Sequence, residues 1–135
     1  MQQGGCLCGN LRYEIQGEPV SSGICHCETC RKVASAPRLP FVSFPLGAVA
    51  FTTGRPSEFR SSPHVTRSFC GNCGSPITYR NDNEADTIDI MTCSLDDAEA
   101  FPPSFHVFAG EKLEWDELAG ELPVFKTTRR AGEQI

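Results

Sequence analysis

Hydrophobic and polar residues alternate along this chain in short runs, and the runs predict strands rather than helices. Leu11-Arg12-Tyr13-Glu14-Ile15 puts three apolar side chains on one face and two charges on the other, the pattern of a half-buried strand. Phe41-Val42-Ser43-Phe44 and Val49-Ala50-Phe51-Thr52 are short strands separated by Pro45 and Gly47. Glu58–Arg60 and Val65–Phe69 flank a turn at Ser61-Ser62-Pro63, and Ile77-Thr78-Tyr79 leads into the polar turn Asn81-Asp82-Asn83. The stretch 87–93 is a further strand, with Ile88 and Ile90 on one face and Asp89, Met91 and Cys93 on the other. Phe105–Phe108 is a late strand, and Leu122-Pro123-Val124-Phe125 is a hydrophobic anchor near the end. Ile24–Cys27 is expected to be extended. A single helical turn over Cys30–Val33 is stopped by Pro37 and Pro40.

Composition sharpens this picture. Gly 12 and Pro 10 leave little room for long helices in 135 residues, so the expectation is one mainly β domain. The balance of 12 Lys and Arg against 17 Asp and Glu gives a net charge of −5, which disfavours binding to nucleic acid by phosphate neutralisation. No 18-residue apolar run exists, so no spanning helix is expected. The start, Met1-Gln2-Gln3-Gly4-Gly5, has neither a basic nor an apolar leader, and a cytoplasmic location is the expectation.

The 8 cysteines change the picture most. They are Cys6, Cys8, Cys25, Cys27, Cys30, Cys70, Cys73 and Cys93, and most fall in C-x-C or C-x-x-C units. Such close spacings rarely bridge each other without strain, but suit a metal that gathers thiolates about 3.7 Å apart. In an extended C-x-C both sulfurs point to one side. Cys70-Gly71-Asn72-Cys73-Gly74 reads as a metal-binding turn, since Gly and Asn tolerate the conformation it needs. Spacing alone leaves the grouping open. Eight sulfurs can fill two four-thiolate sites, or seven can divide as four and three. Cys70 and Cys73 can pair with Cys27 and Cys30, or with Cys6 and Cys8. In the second arrangement Cys25, Cys27 and Cys30 form a compact trio, and an ion with three protein ligands keeps a fourth position for chemistry.

Three segments, Gly5-Cys6-Leu7-Cys8-Gly9, Cys25-His26-Cys27-Glu28-Thr29-Cys30-Arg31-Lys32 and Arg67-Ser68-Phe69-Cys70-Gly71-Asn72-Cys73-Gly74, closely resemble the glutathione-dependent formaldehyde-activating enzymes, the family that includes centromere protein V. The likeness continues in Ser94-Leu95-Asp96-Asp97, in 103–108, in Trp115 and in 122–125. It implies a single domain over residues 4–125, with 126–135 a fraying tail, and a β-tent of antiparallel sheets organised around zinc. It also implies a structural zinc on Cys6, Cys8, Cys70 and Cys73, and a second, catalytic zinc on Cys25, Cys27 and Cys30. The implied activity is that of a carbon–sulfur lyase, which forms or cleaves S-hydroxymethylglutathione from a small thiol and an aldehyde. A non-catalytic zinc module that binds a thiol or a protein partner is the alternative.

The trio's chemistry suits a thiol substrate. Zinc with three thiolates carries a net −1 and is a weaker Lewis acid than zinc on imidazoles, so water activation is not its best use. A thiol of ordinary pKa near ~8.5 binds such an ion deprotonated and is then a ready nucleophile towards formaldehyde. Arg31, Lys32, Arg38 and Arg67 are the cations nearest in sequence to the cysteines. His26 is expected to point away from its two neighbours, His64 to lie at the surface and His106 to occupy the other face of its strand. Cys93 is expected to be a small buried hydrophobe, and Glu28 sits where it can move protons.

Overall fold

The computed structural model describes residues 1–135. It is mainly β, built from antiparallel sheets, as the alternation predicts. The chain forms two compact units: Met1–Ser21 with Val42–Phe101, and Ser22–Phe41 with Pro102–Ile135.

The first unit holds a three-stranded sheet in which β1 (Gln2–Gly5) pairs antiparallel with β2 (Arg12–Ile15), and β2 with β5 (Val49–Thr53). β1 carries no alternation signal, because half of it is glycine. Its partner explains the glycine: a Cβ on Gly4 would overlap the phenol of Tyr13. The Tyr13 hydroxyl in turn shares a 2.7 Å hydrogen bond with Ser94 Oγ. A second, meandering group follows, with β4 (Leu39–Pro45), β9 (Thr87–Met91), β8 (Pro76–Asn81), β7 (Val65–Phe69) and β6 (Ser57–Ser62) side by side in that order. The β6–β7 hairpin turns at Pro63-His64, close to its expected place. The core comprises Leu11, Tyr13 and Ile15 from β2 and its approach, Val42 and Phe44, Ile77 and Ile90, with Leu95 and Phe101 at its margin. Cys6 and Cys70 belong to the same cluster and Cys73 packs against it, so the core wall itself carries thiols.

The second unit holds β3 (Ser21–Cys25), α1 (Glu28–Ala34) and β10 (His106–Val107). β10 is only two residues long and runs parallel to β3, with Val107 opposite Cys25. Gly23 lies flat beneath the Phe105 ring, where a Cβ would come within 2.6 Å of a ring carbon. Phe105 also meets Phe41 and Phe125 edge-on. α1 is longer than the single turn expected: it runs from Glu28 to Ala34 and stops at Ser35, which turns left-handed at φ 49° two residues before Pro37. The strand expected through residue 93 ends at Met91, and 92–94 form a 3-10 turn. Residues 126–135 are exposed, and the chain folds back there through a bridge between Phe125 and Gln134. No helix is long and apolar enough to cross a membrane.

Candidate metal centres

Cys6, Cys8, Cys70 and Cys73 come together in the first unit, their sulfurs all within 4.8 Å of one another. This is the second of the two groupings that spacing leaves open. Cys6 and Cys8 leave β1 on a turn closed by the Gly9 N–H on the Cys6 carbonyl (3.3 Å), with Gly9 at φ 83°. Cys70 and Cys73 sit between β7 and β8, where the Gly74 N–H reaches the Cys70 carbonyl at 2.8 Å and Gly74 takes φ 81°. Cys6 and Cys8 Sγ are 3.6 Å apart, and Cys8 and Cys70 Sγ 3.7 Å. A tetrahedron with metal–sulfur bonds of ~2.3 Å has edges of about 3.7 Å, so these separations are those of four thiolates on one ion.

Amide donors converge on the sulfurs. Leu11 N–H donates to Cys6 (3.2 Å), Asn72 and Cys73 N–H to Cys70 (3.4 Å each), and Asn72 Nδ2 to Cys8 (3.4 Å). Such bonds favour thiolate over thiol. Burial opposes the Cys6 thiolate, yet the Leu11 amide and the Cys8 and Cys70 thiols bring its pKa below the usual value. Cys73 falls further, to about 5, chiefly because the Ser75 hydroxyl, 3.2 Å away, and the Ser75 backbone favour the anion. Cys70 has the help of the Cys73 amide, but burial and its neighbours' thiols push it up. A cation at the centre removes that conflict.

Cys25, Cys27 and Cys30 form a second group in the other unit, again with all sulfurs within 4.8 Å. Local structure explains the trio. Cys25 ends β3, and Cys27 is the N-cap of α1, its sulfur accepting the Cys30 N–H at 3.3 Å. Cys30 lies in the first turn of the helix, so one sulfur both caps the helix and stands beside the next ligand. The Cys25 thiol is pushed far up, first by the Cys27 and Cys30 thiols and then by burial. A thiol whose ionisation its two neighbours oppose, one of them supported by an amide, fits a divalent cation bound by soft donors. Both groups can therefore hold metal ions, and their donors are compatible with zinc. None of the eight cysteines is in a disulfide.

Cys93 belongs to neither group, and it is exposed rather than buried as expected, because β9 ends before it and the 3-10 turn carries its side chain outward. Glu28 opens α1, where its N–H donates to Glu111 Oε1 at 3.2 Å. Arg31 Nε donates to the His26 carbonyl (3.2 Å) and Nη2 to the Glu111 carbonyl (3.2 Å). Arg38 grips Asp116 with a two-pronged pair at 3.0 and 2.6 Å. Arg67 stacks on Tyr79, 5.0 Å from the ring centre. His64 is exposed on its turn, as expected.

His26 does turn away from its cysteine neighbours, into a fully buried position where Nε2 lies 2.9 Å from His106 Nδ1. Burial, then His106 and Arg38, lower its pKa to about 4, so the ring is neutral. Sequence reasoning gave no sign of this pair or of Asp116, since 80 residues separate the two histidines.

The family of glutathione-dependent formaldehyde-activating enzymes matches this chain over residues 1–111. The chain belongs to that family. An uncharacterized lyase of Schizosaccharomyces pombe is 31% identical over 81 residues, which is 60% of this chain and 58% of that protein. The chain thus matches less than two thirds of that relative's length. A crystal structure of a Rhodobacter sphaeroides protein has the same fold at a TM-score of 0.60 and 16% identity, covering 70% of this chain and 87% of the other.

Proposed function

We propose that the chain is a zinc-dependent carbon–sulfur lyase that forms and cleaves adducts of a small thiol with formaldehyde, S-hydroxymethylglutathione being the first candidate. One observation carries the reading: Cys25, Cys27 and Cys30 gather on one short segment with three sulfurs and no fourth protein donor among them. Cys6, Cys8, Cys70 and Cys73 form a complete set of four and suit a structural ion. Bound at the trio, zinc would supply a position at which a substrate thiol ionises at neutral pH.

The chain's own residues support this use. Cys25 and Cys30 are buried, which limits the access of competing water. The Cys27 sulfur is steadied by the Cys30 amide, so one donor arrives with its geometry fixed. Arg31 and Lys32 follow Cys30 on α1, so the element that carries the trio also carries positive charge suited to an anionic thiol, against the overall −5. Adding the thiol across the aldehyde carbonyl forms one carbon–sulfur bond, and the thiol proton ends on the new hydroxyl. The reverse reaction breaks the same bond and returns that proton to sulfur. The family to which the chain belongs and the lyase name of its yeast relative agree with this chemistry.

Exchange between free formaldehyde and its glutathione adduct, followed by NMR and corrected for the spontaneous rate, tests the proposal. Zinc-loaded protein should accelerate exchange and Cys27→Ser should abolish the acceleration. A fully loaded protein that leaves the spontaneous rate unchanged would refute it.

A further inference from the structure

The segment that joins Cys25 to Cys27 is held at three of the four polar atoms of the residue between them. The His26 N–H donates to the Val107 carbonyl at 3.1 Å, and its carbonyl accepts from Arg31 Nε at 3.2 Å. On the side chain, Nε2 is 2.9 Å from His106 Nδ1. Nδ1 has no hydrogen-bond partner although the ring is fully buried, and it faces Asp116 Oδ2 at 3.9 Å. Asp116 is itself anchored by the Arg38 fork and lies 12% exposed, and Arg38 holds its carboxyl below the usual range. Two buried imidazoles and a largely buried carboxylate thus back the segment that carries two of the sulfurs. An apolar residue at position 26 would fill the same space without the desolvation that these groups carry.

We propose that His106 and Asp116 are positioning residues for the Cys25/Cys27/Cys30 site, acting through the His26 imidazole. This rests on the reading of the trio as a metal site. Along the extended segment the sulfurs of Cys25 and Cys27 point to one side and the His26 ring to the other, so whatever fixes the ring fixes the pleat between the two donors. Asp116 is ionised and can only accept, so its field favours the proton on His26 Nδ1. His26 Nε2 is then the acceptor, and His106 donates from Nδ1. Each ring nitrogen therefore has a distinct partner: a flipped ring would bring the Cε1–H to the His106 contact in place of Nε2, and the other tautomer would set donor against donor there. At 3.9 Å the Asp116 contact is electrostatic rather than a hydrogen bond. Its part is to choose the tautomer, while His106 makes the bond. Partners behind a metal's ligands act on affinity and geometry in this way.

The test uses the full chain loaded with cobalt, whose ligand-field bands report the geometry of each thiolate site. His106→Leu removes the donor, whereas His106→Asn places an amide N–H near the Nδ1 position. His106→Leu should weaken cobalt binding at the trio on the order of tenfold or more and shift the trio's bands. His106→Asn should restore both towards the unaltered values, and the Cys6 group should bind as before in each. Equal effects of the two substitutions, or no effect of either, would overturn the proposal. Should His106→Leu fail to fold, Asp116→Asn decides. A band shift with weakened trio binding supports the role, and a lower melting temperature with unchanged bands and affinity overturns it. Absence of cobalt from the trio of the unaltered protein would overturn both this proposal and the proposed function. Unchanged variants beside a loaded trio would overturn this one alone.

Discussion

Asp89 shows how a single side chain can act against the stability of the fold. It lies on β9 with its carboxylate on the Ser43 hydroxyl, and burial, partly offset by that bond, raises its pKa to about 6. A carboxyl with a raised folded pKa favours its neutral form in the native state, so its ionisation opposes folding. The cost is absent below the unfolded value near 3.8, grows as pH rises towards 6 and is complete above it. Two pKa units correspond to about 3 kcal/mol. Asp89→Asn should therefore raise stability in urea at pH 7.5, and its advantage over the unaltered protein should shrink as pH falls towards 4. Equal advantage at both ends of that range would contradict the assignment. Gly4 acts through shape instead. Gly4→Ala forces a methyl into the Tyr13 phenol and the Ser94 carbonyl, and should cost about 3 kcal/mol, measurable in the same denaturation experiment.

Among the elements, what could be read from the sequence depended on where the information lay. The strand through Tyr13, the β6–β7 hairpin and the Cys70 turn are local patterns of alternation, Pro and Gly, and they appear close to their expected places. β1 was hidden because Gly4 and Gly5 contribute no side-chain pattern; their reason is the Tyr13 ring across the sheet. α1 exceeds its expected turn because the Cys27 sulfur supplies an N-cap, a role seldom looked for in a cysteine. Spacing marked the cysteines as metal ligands but left open whether seven or eight take part and how they divide; the family resemblance implied the groups of four and three that the folded chain brings together. The His26–His106 contact and Asp116 depend wholly on long-range folding, and Cys93 was misjudged through a strand extended two residues too far. The two groups sit differently in their elements, and substitutions should separate them. Cys70 lies in the core wall at 2% exposure, so Cys70→Ser should destabilise the protein severely, since structural zinc contributes on the order of ~10 kcal/mol to small zinc folds. Cys27→Ser, at the start of α1, should remove activity and retain most of the thermal transition. Similar melts for the two variants would contradict this division.

At the scale of the whole molecule, each compact unit carries its own thiolate group, four sulfurs in one and three in the other. Fully reduced protein should hold two zinc ions per chain, and mild chelation should remove the three-sulfur ion first, as metal analysis along a chelator titration will show. The central claim is that the trio offers a thiol a place to bind. Its most direct test is the titration of glutathione into cobalt-substituted protein while the sulfur-to-cobalt charge-transfer band is followed. The account predicts a rise of about one sulfur's absorbance, and no rise with S-methylglutathione, whose sulfur cannot ionise. A band that falls, because the thiol strips the ion, or one that stays unchanged at millimolar thiol, would contradict it.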